Sequence, residues 1–170
     1  AYTFVGPIAM AAARGGATEI VAVDESALAL EVGAEQARRN GLEERIAMQR
    51  KDARRALGDA SAEGGFDLVV CDPPKLAPTR GAKDGATGAY RALAAAGCRA
   101  TRAGGVIVLC SCSSARGLDD LTRALALGAR DARAQATIFD RCFQGGDHPV
   151  PAAFPEGLYL KSLLARVEPL

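Results

Sequence analysis

Three short apolar runs, "EIVAVD" at 19–24, "FDLVVCD" at 66–72 and "GGVIVLCSC" at 104–112, restrict this chain more than any other feature of it. Each is rich in β-branched residues and too short for a buried helix, so each reads as a strand buried on both faces. Between them lie stretches with apolar residues at helical spacing: "ESALALEVGAEQARRNG" (25–41), the segment from Ala89 to Thr101, and "LDDLTRALALGAR" (118–130). "AMAAARGG" (9–16) reads as a helix closed by glycines, and "RIAMQ" (45–49) as a further strand. Strands alternating with helices pair in parallel and need cover on both faces. The expected fold class is therefore α/β, a mostly parallel twisted sheet with helices on both faces. Residues 134–143 and 158–167 are extended in pattern and joined by the turn-rich "QGGDHPVPAAFPEG", so they should form a C-terminal antiparallel hairpin. The opening "AYTFVGP" reads as the end of a first strand and the turn after it. In a doubly wound sheet that strand is central. The expectation is one domain over 1–170 that is a fragment of a longer protein, with its first strand missing.

Composition narrows the classes. At 170 residues, 49% hydrophobic and 24% charged, the chain has the content of one globular core. It carries no apolar run long enough to cross a bilayer and no opening pattern of a signal peptide, so a cytoplasmic protein with no membrane partner is expected. The five cysteines are odd in number and sit mostly in apolar surroundings, which reads as reduced thiols. A single His148 and no paired CxxC argue against a structural zinc site. The net charge of +1 neither demands nor forbids nucleic acid, although "ARRN" (37–40) and "QRKDARR" (49–55) could form a basic rim.

Ligands of open α/β sheets bind outside the carboxyl ends of the parallel strands. Gly6, Asp24, Asp72 and Cys112 fall at such ends. Asp24 suits either the ribose hydroxyls of an adenosine-bearing cofactor or the cap of the following helix. Asp52 could meet an adenine amino group or cap "ARRAL". In "DPPK" (72–75), two prolines stiffen the loop and leave carbonyls free for an exocyclic amine, which suits the edge of a nucleobase.

"DPPK", Tyr90-Arg91, "AGGVIVLCSCSS", "QGGDHPV" and "FPEGLYLK" occur here in the order and spacing of the RlmI-like methyltransferases, which act on cytosine in bacterial large-subunit ribosomal RNA, and nearly the whole chain resembles that family. The resemblance implies a Rossmann-like class I methyltransferase fold that uses S-adenosyl-L-methionine, preceded in the family by a small PUA-type RNA-binding domain absent here. It implies carbon-5 methylation of a cytosine in large-subunit (23S) ribosomal RNA, with Cys112 of the "SCS" motif as nucleophile and Asp72 beside it. Tyr2, Thr3, Gly6, Asp24, Asp52 and Asp72 would hold the cofactor, and Pro73, Pro74 and Lys75 the substrate. No metal is implied, ribosomal RNA is the partner, and a homodimer stays open. The family's opening "YTGGF" is replaced by "YTFVGP", with Phe4-Val5 as an apparent insertion. Two alternatives stand beside this reading: an RNA guanine-nitrogen methyltransferase, which needs no cysteine, and a degenerate, non-catalytic RNA-binding module on the same fold. His148 in "DHPV" could accept a proton or simply order its loop.

Overall fold

The computed structural model describes residues 1–76, 83–114 and 117–170, which divide into two compact units, 1–56 and 57–170. The first unit holds α1 (Pro7–Arg14), β1 (Ile20–Asp24), α2 (Ala27–Arg39) and β2 (Ile46–Arg50). β1 and β2 pair in parallel, from Ile20 beside Ile46 to Asp24 beside Arg50. Their core is built from Ala9, Ala13, Ala22, Ala37, Leu42 and Ile46, so the alanine bias of the sequence becomes close approach of helices to strands. Ser26 caps α2, its Oγ accepting the Ala29 N–H at 3.2 Å. Arg38 and Arg39 lie in the last turn of α2, where positive charge suits the helix dipole. The helix α3 (Ala53–Ala62) starts in this unit and ends in the next; Gly64 and Gly65, both with positive φ, follow it.

The second unit continues with β3 (Phe66–Cys71), α4 (Lys83–Ala100), β4 (Thr101–Ser111), α5 (Leu118–Asp131), β5 (Ala134–Cys142) and β6 (Lys161–Pro169). Its sheet runs β3-β4-β6-β5: β3 and β4 are parallel, while β6 is antiparallel to both of its neighbours. The expected hairpin is present, but β6 inserts between β4 and β5. Alternation decides which side chains are buried. Val69 and Cys71 of β3, Ile107, Leu109 and Ser111 of β4, and Leu163, Ala165 and Val167 of β6 are buried, while their even-numbered neighbours are half-buried or exposed. Full burial of a residue such as Leu109 or Leu163 contributes about 1.5–3 kcal/mol. α4 covers the buried face closely at Gly97, where a Cβ would fall 2.6 Å from Ile107 Cδ1. α5 packs against α4 as closely: a Cβ on Gly128 would lie 2.7 Å from the Arg91 carbonyl oxygen, which makes glycine the only residue that fits. Arg91 and Asp131 join the same two helices through a two-pronged ion pair of 2.5 and 2.7 Å.

Three sequence-based boundaries shift. α4 starts at Lys83 rather than Ala89, and β4 begins at Thr101, so the chain passes from helix to strand with no loop. β6 starts at Lys161 rather than Leu158 because Pro155–Gly157 forms a 3-10 turn just before it. The described strands form two sheets, not one continuous sheet.

Candidate active site

Each unit gathers its own share of the expected site residues. In the first, the loop that opens the chain is fastened to the carboxyl end of β1. The Thr3 N–H donates to the Val23 carbonyl at 2.8 Å and the Phe4 N–H to Asp24 Oδ2 at 2.8 Å. The other carboxylate oxygen of Asp24 accepts the Ser26 N–H at 3.0 Å. Asp24 therefore ties the loop to the strand, and the cap of α2 belongs to Ser26. Tyr2 and Phe4 both have positive φ (63° and 50°), a conformation that costs a side chain on the order of 1 kcal/mol. Phe4 and Val5 lie within that bend, and the loop stays fastened to β1. Gly6 follows at φ 80°, as the N-cap of α1, with Pro7 in the first helical position. A Cβ there would meet Met48 Cε at 2.8 Å, the movable end of a side chain, so it is the positive φ that calls for glycine. Asp52 stands past β2 and caps α3, its Oδ1 accepting the Arg55 N–H at 3.0 Å, as its capping alternative had it. The Lys51 N–H donates to the Asp24 carbonyl at 3.1 Å, which joins the two strand ends. The unit thus presents two carboxylates and a glycine turn at one edge of its sheet.

In the second unit, Asp72 directly follows β3, and Cys112 directly follows β4. Cys71 pairs with Leu109, so Asp72 is level with Cys110, and Cys112 lies two residues further along. The Asp72 side chain reaches solvent, yet partial burial of its carboxyl holds its pKa above the usual value. Pro73 is fully buried, whereas Pro74 and Lys75 are exposed. The two thiols of "CSC" differ. Cys110 is a ladder residue, paired with Ser162 of β6, and burial pushes its pKa up to about 12, with the charge of Asp72 adding to the effect. Cys112 is half-buried and beyond the ladder. Cys71 and Cys98 are deeply buried, with pKa values raised to about 11 and about 12 by burial. These thiols are packing residues, inert at neutral pH.

Tyr90, Lys161 and Asp120 surround the turn that holds Cys112; the sequence marked Tyr90 and the segment ending in Lys161 only as parts of motifs, and gave neither a role. The buried Tyr90 hydroxyl shares a 2.8 Å hydrogen bond with Ser111 Oγ, which also accepts the Ser113 N–H at 3.3 Å. Lys161, only 8% exposed, donates from Nζ to the Ser113 carbonyl at 2.7 Å. Asp120, in the first turn of α5, joins Thr87, Tyr90, Ser111, Leu121 and Ala124 around a small pocket. Lys161 had a visible sequence signal: it is a cation at the position that continues the buried alternation of Leu163, Ala165 and Val167. His148 is exposed in the turn before the 3-10 segment, paired with Asp147 at 3.2 Å, which holds the Asp147 carboxyl below its usual pKa.

A family profile for ribosomal protein L11 methyltransferase (PrmA) matches residues 5–72. Over 168 residues the chain is 34% identical to the ribosomal RNA large subunit methyltransferase I of Shewanella denitrificans, covering 98% of this chain and 42% of that protein. The protein of the same name from Erwinia tasmaniensis is 32% identical over the same shares. The chain thus spans less than half the length of these relatives. Among solved structures, SMU.776 complexed with SAH superposes with a TM-score of 0.80 at 19% identity, over 97% of this chain and 43% of that one. NSun6 from Pyrococcus horikoshii with SFG superposes at 0.64 with 18% identity, over 96% and 45%. The fold is that of the class I methyltransferases.

Proposed function

We propose that the chain, which matches ribosomal RNA large subunit methyltransferase I over 98% of its own length, belongs to that family along the shared span and transfers a methyl group from S-adenosyl-L-methionine to carbon 5 of a cytosine in large-subunit ribosomal RNA. The observation that carries the finer part of this reading is the placement of a half-buried thiol, Cys112, and a carboxyl of raised pKa, Asp72, just past the carboxyl ends of adjacent parallel strands.

The residues of the first unit fit the cofactor. An ionised carboxylate accepts about four hydrogen bonds, and the backbone donors at Asp24 take one on each oxygen, which leaves capacity for two ribose hydroxyls. Asp52 likewise spends Oδ1 on its cap and keeps capacity for the adenine amine. Tyr2, Thr3 and Gly6 lie in the bent loop held against Asp24 and would hold the methionine portion. When bound, S-adenosylmethionine supplies a methyl group on a sulfonium. Asp24→Ala removes both the diol acceptor and the anchor of the Phe4 N–H. We expect a loss of about 1.5–3 kcal/mol, or ten- to a hundred-fold in affinity, by titration calorimetry; unchanged affinity would remove Asp24 from the cofactor site.

The residues of the second unit supply the chemistry. Carbon 5 of cytosine is too weak a nucleophile to be methylated unaided. Addition of the Cys112 thiolate to carbon 6 forms an S–C bond and makes carbon 5 an enamine carbon that can take the methyl group. A base then removes the carbon-5 proton, the S–C bond breaks, and the thiolate leaves. Asp72, whose pKa is raised by partial burial, hydrogen-bonds ring nitrogen 3 when protonated and stabilises charge in the adduct. The Pro73 carbonyl accepts from the exocyclic amine. The partner is an RNA segment with an unstacked cytosine, since a base within a duplex hides carbon 6. The test is to incubate the protein with labelled cofactor and unmodified ribosomal RNA and to map the product. 5-Methylcytosine supports the reading, and a methylated guanine nitrogen would replace it.

A further inference from the structure

We propose that Lys161 is a positioning residue of this site: its ammonium, donating to the Ser113 carbonyl, holds the peptide that follows Cys112 and so fixes where the sulfur stands. The inference rests on the reading of Cys112 as nucleophile. Lys161 opens β6 and stands opposite Ser111 in the antiparallel ladder, so its side chain shares the buried face with Ser111. It is 8% exposed, and Nζ reaches the Ser113 carbonyl at 2.7 Å. Ser111, through Tyr90 and the Ser113 N–H, fixes the other side of the same turn. Cys112 is thus the middle residue of a segment gripped at both flanks.

A lysine is rarely buried unless something repays its desolvation. The groups that face it are Cys112 at the end of β4 and Asp120 on α5. Burial pushes the Lys161 pKa down, and negative charge at these two groups pulls it back up. The hydrogen bond to the Ser113 carbonyl holds the turn in which Cys112 lies, so the ammonium sets how the sulfur approaches carbon 6. A neutral side chain of similar length would fill the space without doing so.

The test labels the thiols with iodoacetamide at pH 7.5, without cofactor or RNA, and follows each cysteine by mass spectrometry. In Lys161→Met, Cys112 labelling should change at least about fivefold as the turn loosens, while Cys142 is unchanged, and Lys161→Arg should restore the unmutated rate. Labelling of Cys112 at the unmutated rate in folded Lys161→Met would overturn the proposal. These readouts need no methyl transfer, so they stand apart from the nucleophile assignment, which fails instead if Cys112→Ala still methylates cytosine. If both hold, kcat of Lys161→Met falls about tenfold or more with KM for the cofactor unchanged.

Discussion

Cys112→Ala is expected to lower cytosine methylation by a factor on the order of 10⁴ or more, while leaving cofactor affinity as it was. Loss of the thiol removes the only route by which carbon 5 becomes an enamine carbon, so the remaining rate is that of an unactivated ring. Cofactor binding should be spared because Tyr2, Thr3, Gly6, Asp24 and Asp52 belong to the first unit, whereas Cys112 belongs to the second. Cys110→Ala is the matched control. Its thiol is held in the protonated form by burial, so its removal should change the rate little. The comparison is made by single-turnover transfer of a labelled methyl group, with calorimetry for binding. Equal losses at the two positions would point to a packing role for both.

Asp72→Asn should cut the rate by about 10²–10⁴ and, at neutral pH, stabilise the fold. The two effects share one cause. Partial burial raises the pKa of the Asp72 carboxyl in the folded protein. Between the unfolded and the folded pKa, the folded chain therefore holds more protons than the unfolded one. Stability contributed by this group falls as pH rises through that interval, and the cost is fully present above it. Asparagine carries no such cost, but it cannot supply a proton to ring nitrogen 3. Melting curves should place Asp72→Asn at or above the unmutated protein at pH 7 and level with it below the unfolded carboxylate pKa. A variant that is less stable at pH 7 would show that Asp72 is a structural anion, with its charge used by the fold.

Much of this site was legible because strand ends announce themselves. An apolar run closed by an acid or a cysteine marks the carboxyl end of a parallel strand, and Asp24, Asp72 and Cys112 were placed by that pattern alone. What the pattern could not resolve was the use of each carboxylate. Asp24 and Asp52 each offered a helix cap beside a cofactor contact, ribose hydroxyls for the one and the adenine amine for the other, and the geometry separates them only as caps: Asp52 caps α3, while Asp24 leaves the cap to Ser26 and takes the Phe4 N–H from a loop far away in sequence. What Lys161 and Tyr90 do within their motifs escaped for a related reason. Their roles depend on non-local pairing, Ser111 with Lys161 across the ladder and Tyr90 with Ser111 across the helix–sheet contact, and no local periodicity encodes a register between distant segments. The insertion of β6 between β4 and β5 is of the same kind. Boundaries moved where the helix and the strand patterns abut, as at Ala100 and Thr101.

The central claim, a covalent bond from Cys112 to carbon 6 of the target cytosine, is tested most directly with ribosomal RNA in which cytosine is replaced by 5-fluorocytosine. Fluorine on carbon 5 cannot leave as a proton does, so the adduct persists after methylation. The account predicts a protein–RNA species that survives denaturation, requires S-adenosylmethionine, and maps after digestion to the peptide containing Cys112. Methylation of ordinary RNA with no trapped species on the fluorinated RNA, or attachment through another residue, would contradict it.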